Sequence, residues 1–207
     1  AGQAPARQVA LGCGMPNSTP CTTINKVCGS SLKAVMIAAT EIRAGISELV
    51  VAGGMESMSN APRFIRDARR GEDVPFKSLL SILSHDGLTD AYSGELMGNT
   101  GETCALEYGI SREESDAYSI RSHKLSAEGW ENGEIGKECV SMEELSIDEG
   151  IRMDADMSTL ISLKPVFSED GQVTAGNASQ VSDGASAVLI ASEETAIRMG
   201  LPILARI

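Results

Sequence analysis

One cysteine lies at a change of hydrophobic pattern, in the stretch Asn25-Lys26-Val27-Cys28-Gly29-Ser30-Ser31-Leu32-Lys33-Ala34. Ahead of Cys28, the segment from Cys21 to Val27 has the composition of a short buried strand. Behind it, apolar residues recur every three or four positions, which predicts an amphipathic helix that ends near Gly45. Those apolar residues are Leu32, Val35, Met36, Ala39 and Ile42.

The position of Cys28 predicts a reactive thiol. A side chain at a strand-to-helix join faces the unpaired N–H groups of the first helical turn and the positive end of the helix dipole. That setting favours the thiolate, which is the nucleophilic form of cysteine. The alternative interpretation is a buried structural cysteine, because free cysteine is usually inert in protein cores. Ser30 and Ser31 are interpreted as helix caps.

Composition excludes several classes of protein. A net charge of −12 over 207 residues argues against a nucleic-acid partner, which requires a basic surface. No apolar run approaches the roughly 20 residues of a membrane span, so we expect no membrane insertion. The five cysteines form no Cys-x-x-Cys pair and have no ligand spacing to His85 or His123, so we predict no metal. Unpaired cysteines fit a reducing compartment, and we expect a cytoplasmic location.

Hydrophobic and capping patterns divide the chain into three segments. Residues 1–59 alternate helix and strand, residues 60–165 form a mostly helical insertion, and residues 166–207 return to the α/β pattern. In the insertion, Ser111 opens a capping box whose helix ends near Gly133. A second helix is predicted from Thr100 to Tyr108, before Gly109. In the last segment a buried strand from Ala187 to Ala191 precedes a helix that Ser192 caps and Gly200 closes.

Basic residues are dense at one place only, the cluster Arg63, Arg66, Arg69 and Arg70. This cluster is interpreted as a solvated face, with a nucleotide site as the alternative. The glycines Gly53 and Gly54 lack the spacing of a phosphate loop, so tight backbone packing explains them better.

Several further motifs occur in an order that resembles the thiolase family over essentially the whole chain. A predicted buried strand runs into the sequence Gly-Gly-Met-Glu-Ser. An Asp-Gly-Leu-Thr-Asp-Ala-Tyr loop and a Met-Gly pair follow later in the chain. The segments that carry the resemblance are 25–34, 50–59, 86–92, 97–98, 163–167, 173–179 and 182–187. The resemblance implies a layered α-β-α core, here its N-terminal half without the first elements, with an inserted helical loop domain that binds coenzyme A.

The resemblance also implies a function. Cys28 would form an acyl thioester in an acetyl-CoA C-acetyltransferase, which condenses two acetyl-CoA molecules to acetoacetyl-CoA or cleaves the product. A degradative 3-ketoacyl-CoA thiolase is the alternative enzyme, because Leu96 stands where many short-chain members have histidine. Ser31 likewise replaces a usual glycine. An alternative of another class is a catalytically incomplete half that binds coenzyme A or a partner subunit.

Substrate contacts follow from the resemblance, position by position. Coenzyme A enters as a thioester substrate, with no resident cofactor. For Leu88, Met97 and Phe167 the competing interpretation is plain core packing. For Arg152 it is a surface ion pair with Asp148 or Glu149. The implied contacts are Leu88, Met97, Arg152, Phe167, Ala175 and Ser179.

The resemblance places the family's catalytic histidine and second cysteine in a second half that this sequence does not contain. We therefore assign His85 and His123 to structure or surface. The chain is expected to be a fragment, so a mitochondrial or peroxisomal location stays open. We expect a homodimer or homotetramer, or pairing with the missing C-terminal half.

Overall fold

The computed structural model describes residues 2–66, 75, 79–142 and 145–207, and these residues form two compact units. The first unit comprises residues 1–57 and 183–207, and the second comprises residues 58–182. Of the basic cluster, Arg69 and Arg70 lie outside the described residues. No helix in the described ranges is both long and apolar enough to cross a membrane.

The described residues of the first unit form three helices and a two-stranded sheet. The helices are α1 (Pro5–Gly12), α2 (Ser30–Arg43) and α6 (Glu193–Met199). The strands β1 (Leu49–Ser57) and β4 (Asp183–Ala191) pair antiparallel, with Ala52 opposite Val188. Helix α2 packs on this sheet, and the core of the contact is Ala38, Ala52 and Ile190.

The C-terminal ends predicted for α2, β4 and α6 are confirmed, but β4 begins at Asp183, four residues before the predicted start. The predicted burial of the two strands is wrong, because only Ala52 and Ile190 are buried in them. The inward face predicted for α2 is confirmed for Val35, Ala39 and Ile42 and is wrong for Leu32 and Met36. Helix α2 ends at Arg43, and Gly45 follows with a positive φ of 70°. Its buried residues are Ala38 and Ala39, whereas Leu32 is 67% exposed and Met36 is 53% exposed. The small side chains of Ala38 and Ala52 allow the helix to approach the sheet closely.

The predicted strand from Cys21 to Val27 is wrong. The segment joins no sheet, its bridge between Lys26 and Cys28 is an isolated one, and none of its residues is buried. Polar side chains satisfy its backbone instead: Asn25 Oδ1 accepts from Val27 N at 2.8 Å. Such local side-chain bonds compete with a strand ladder.

Most of the regular secondary structure described in the second unit is helical, as predicted. Helix α4 begins with the full capping box of Ser111 and Glu114, and Gly133 follows its end with a φ of 76°. Helix α3 begins at Met97, three residues before the predicted start, and Gly109 closes it in the left-handed region. The elements are β2 (Arg63–Phe64), β3 (Leu80–Ser81), a π-helical turn (Leu83–Leu88), α3 (Met97–Tyr108), α4 (Arg112–Glu131), a 3-10 turn (Ile135–Lys137) and α5 (Met157–Ile161).

The return to the first unit comes later than the sequence pattern predicts. The division falls at residue 183, whereas the prediction placed it at 166. Hydrogen bonds explain the difference, because they tie residues 167–182 to the helices of the second unit. Glu102 of α3 accepts from the backbone N–H groups of Gln172 at 2.7 Å and Val173 at 2.9 Å.

Candidate active site

Cys28 lies in a tight turn immediately before α2. The turn is closed by hydrogen bonds from Gly29 N to Lys26 O and from Ser30 N to Val27 O, both 3.1 Å long. The thiol is free and the residue is exposed. Cys13, Cys104 and Cys139 are exposed as well, so exposure does not distinguish Cys28. What distinguishes it is its place at a helix N-terminus, where backbone N–H groups lack helical partners.

The turn holds an unusual backbone conformation at Val27. Its φ is 49°, in the left-handed region that β-branched residues rarely adopt. Such a conformation costs about 1–3 kcal/mol and persists only where the surroundings fix it. Strain of this kind clusters at functional sites, and this one adjoins the candidate nucleophile.

Ser30 fixes the turn, and this is a different role from the predicted helix cap. Its hydroxyl accepts from Lys26 N at 2.8 Å and donates to Val27 O at 2.7 Å. The N-cap residue is Gly29, and α2 has no side-chain cap. Ser31 is exposed and makes no cap either. The cap prediction is therefore wrong for both serines, and the Ser30 side chain instead closes the turn that precedes the helix.

A shallow apolar depression of about 260 Å³ lies beside the first turns of α2. It is bounded by α2 on one side and by the paired strands β1 and β4 on the other. Its lining residues are Ser31, Leu32, Val35, Ala52, Gly53, Ser186, Ala187 and Val188. The sheet and the helix that follows Cys28 thus meet at an open apolar surface within the first unit.

The six predicted coenzyme A contacts all lie in the second unit, and local pairings link three of them. Thr89 and Leu96 form a bridge, which brings the neighbours Leu88 and Met97 to one place. Phe167 packs on the first turn of α3, where its ring contacts Gly98 so closely that a Cβ there would overlap it. Leu88 and Phe167 are half-buried, and Met97 is 52% exposed.

Backbone pairings also connect the other three predicted contacts. Val166 N donates to Val173 O at 3.0 Å, and this places Ala175 near the Phe167 segment. Gln180, next to Ser179, donates its side-chain amide to Gly150 O at 3.0 Å, two residues before Arg152. All three residues are exposed, as a ligand contact requires. In the described part of the chain, no ion pair joins Arg152 to Asp148 or Glu149.

A buried polar network fixes the segment that carries Ala175 and Ser179. Asp116 is 0% exposed and accepts from Arg112 Nε at 2.7 Å and from Asn177 Nδ2 at 3.0 Å. Asn177 also accepts from Thr174 N at 2.8 Å through its side-chain oxygen. The sequence analysis missed this network. Its only local signal is the four-residue spacing of Arg112 and Asp116 on one helix.

Both histidines have structural partners, in agreement with their assignment. His85 Nδ1 lies 2.6 Å from Asp86 Oδ1, and its Nε2 contacts the Arg66 guanidinium. His123 Nδ1 accepts from Arg152 N at 3.2 Å. Among the described residues, no group of three or more His, Cys, Asp or Glu side chains is placed to hold a metal ion.

A helix N-terminus is one of the settings in which enzymes activate a nucleophilic cysteine. Residues 1–194 match the family model described as the thiolase N-terminal domain. The chain therefore belongs to the thiolase family, and this confirms both the resemblance and the predicted fold class.

Similar proteins agree with this assignment. The chain is 46% identical to acetyl-CoA acetyltransferase 2 of Arabidopsis thaliana, over 100% of this chain and 54% of that protein. It is 44% identical to a probable acetyl-CoA acetyltransferase of Escherichia coli, over 100% of this chain and 55% of that protein. A thiolase from Ascaris suum, solved in complex with coenzyme A, superposes with a TM-score of 0.88 at 37% identity, over 97% of this chain and 53% of that one. The chain thus spans about half the length of its relatives.

Proposed function

We propose that this chain is part of an acetyl-CoA acetyltransferase in which Cys28 accepts the acyl group. The observation that carries the proposal is the exposed thiol of Cys28 in a strained turn at the start of α2. The relatives named acetyl-CoA acetyltransferase supply the acyl-CoA chemistry.

In the first step the Cys28 thiolate attacks the thioester carbon of acetyl-CoA. A C–S bond forms, the carbonyl oxygen becomes an oxyanion, and its collapse expels the thiolate of coenzyme A, which takes up a proton. The N–H groups of Gly29 and Ser30 close the turn, so the proposed donors to the oxyanion are the other backbone N–H groups near Cys28 at the start of α2. Cys28 is left as an acetyl thioester.

In the second step a base removes an α-proton from another acetyl-CoA. The resulting enolate carbon attacks the carbonyl carbon of the acetyl group on Cys28 and a C–C bond forms. The C–S bond to Cys28 then breaks, which regenerates the Cys28 thiolate and releases acetoacetyl-CoA. The described histidines of this chain are engaged with structural partners. By resemblance, the bases come from the second half of the family's fold.

The second unit is proposed to bind the pantetheine and nucleotide of the acyl-CoA substrate. Half-buried Leu88 and Phe167 provide apolar surface, and Ser179 provides a hydroxyl at an exposed position. The chain has a net charge of −12, so a phosphate-bearing ligand needs local positive charge. Exposed Arg152 supplies such a charge. Met97 and Ala175 are the two remaining proposed contacts.

Activity of the full-length natural protein tests the proposal. We expect Cys28→Ala to abolish thiolysis of acetoacetyl-CoA, because none of the other four cysteines lies at a helix N-terminus in the described residues. Cys139→Ala is the matched control, since Cys139 is also free and exposed but lies in the other unit. Full activity of Cys28→Ala would overturn the assignment of the nucleophile.

Substrate preference tests the choice within the family. The proposal expects acetoacetyl-CoA to be cleaved faster than a long-chain 3-ketoacyl-CoA. The opposite preference would favour a degradative thiolase. Binding of coenzyme A without turnover of either substrate would favour the catalytically incomplete alternative.

A further inference from the structure

Two adjacent glycines lie inside β1, where glycine normally weakens a strand. Each one permits a close approach of a different neighbour. A Cβ on Gly53 would overlap Ser186 O and lie 3.0 Å from Ala187 Cα, both in the backbone of the paired strand β4. A Cβ on Gly54 would overlap Ser31 Oγ and lie 3.2 Å from Ser31 Cβ, in the first turn of α2. Gly53 therefore serves the sheet, and Gly54 serves the contact between the sheet and the helix.

The first turn of α2 is tied directly to the turn that holds Cys28. Ser30 bonds through its hydroxyl to Lys26 N and Val27 O, on the other side of the cysteine. Gly29 O accepts from Lys33 N at 3.0 Å, which joins the same turn to the helix. A displacement of Ser31 away from β1 is therefore transmitted through its neighbour Ser30 to the Cys28 turn.

The Cys28 turn also has little conformational freedom to absorb such a displacement. Val27 has a φ of 49°, and a β-branched residue keeps this conformation only where its surroundings impose it. Relaxation of the first turn of α2 would release that constraint and move the cysteine with it.

We propose that Gly54 is a positioning residue for Cys28. The absence of a side chain at Gly54 leaves room for the Ser31 side chain, and this sets the separation between β1 and the first turn of α2 and so the place of the thiol. The proposal rests on the proposed role of Cys28 as nucleophile.

A double-mutant cycle in the full-length protein tests this coupling. The variants are Gly54→Ala, Ser31→Gly and the two combined. Gly184→Ala is the matched control, because Gly184 lies on the paired strand β4 and a Cβ there would meet nothing within 4 Å. The readouts are the rate of iodoacetamide labelling at Cys28, with Cys139 as internal reference, and kcat and KM for thiolysis of acetoacetyl-CoA.

We expect Gly54→Ala to lower kcat by about tenfold or more, since a misplacement of about 1 Å can cost a hundredfold in catalysis. We expect Cys28 labelling to slow as well, because the reactivity of a thiol depends on its place at the helix start. KM and Cys139 labelling should change little. Ser31→Gly removes the atoms that the new methyl group meets, so the combined variant should recover most of the lost rate. Gly184→Ala should resemble the wild type.

Three results would overturn the proposal: an unchanged Cys28 rate in Gly54→Ala, a loss that Ser31→Gly does not relieve, or an equal loss in Gly184→Ala. If Gly54→Ala does not fold, the combined variant decides, since a folded and active combined variant supports the coupling and an unfolded one contradicts it. A different result would show that Cys28 is not the nucleophile. In that case Cys28→Ala keeps its activity, whereas the labelling cycle still reports whether Gly54 positions the turn.

Discussion

Replacing Asp116 by alanine should destabilise the protein strongly, because its carboxylate is 0% exposed and joins two donors from different segments. The change leaves the Arg112 guanidinium and the Asn177 amide without this acceptor. Removal of one partner from a buried pair costs about 3–5 kcal/mol. The Arg112 side chain is 24% exposed and keeps its bonds to Leu160 O and Leu163 O. We therefore expect a loss near the lower end, about 3 kcal/mol.

Urea unfolding of the full-length protein measures this loss, and Glu128→Ala on the same helix is the control. Glu128 is exposed, so its replacement should change the free energy of unfolding by less than about 0.5 kcal/mol. Because Asp116 and Asn177 share one bond, the losses of Asp116→Ala and Asn177→Ala should sum to about 1 kcal/mol more than the loss of the double variant. A loss below about 0.5 kcal/mol for Asp116→Ala, or strict additivity, would refute the reasoning.

Three further predictions concern pH, packing and assembly. A hydrogen bond from Arg198 and its charge hold the pKa of Glu48 below its ordinary value of 4.5, so this stabilisation is present at neutral pH and is lost as the pH falls below that value. Glu48→Gln should therefore reduce the fall in melting temperature on acidification, and an unchanged fall would contradict this. Gly98→Ala should lower the free energy of unfolding by about 1–3 kcal/mol, because the new methyl group displaces the Phe167 ring, and it should raise KM for acyl-CoA. Gly101→Ala on the same helix should cost less, because the nearest atom to a Cβ there is at 3.3 Å. Equal losses of stability in the two variants would contradict this prediction. Light scattering of the full-length protein should show a dimer or tetramer, and a monodisperse monomer would count against the family's expected assembly.

The bounds of helices could be predicted from the sequence where residues close together in the chain determine them. Ser111 and Glu114 cap each other across one turn of α4, and Gly133 stops the helix because it adopts a positive φ readily. Such signals lie within a few residues of each other. The sequence therefore predicted the bounds of α4 and of α2 closely.

Non-local contacts were not predictable in the same way. Asn177 meets Asp116 across 61 positions of sequence, and neither residue type alone indicates that partner. The segment before Cys28 has strand-like composition, but Asn25 and Ser30 bond to its backbone and keep it out of a sheet. The position of Cys28 at a helix start was predictable, whereas the left-handed Val27 beside it was not.

The most direct test of the account is the detection of an acyl-enzyme on Cys28. The full-length protein is incubated with acetyl-CoA and quenched in acid, and its peptides are analysed by mass spectrometry. The account predicts one acetyl group on the peptide that contains Cys28, which free coenzyme A removes when it is added before the quench. Acetylation at Cys13 or Cys139 to the same extent, or none at Cys28, would contradict the assignment of Cys28 as the nucleophile.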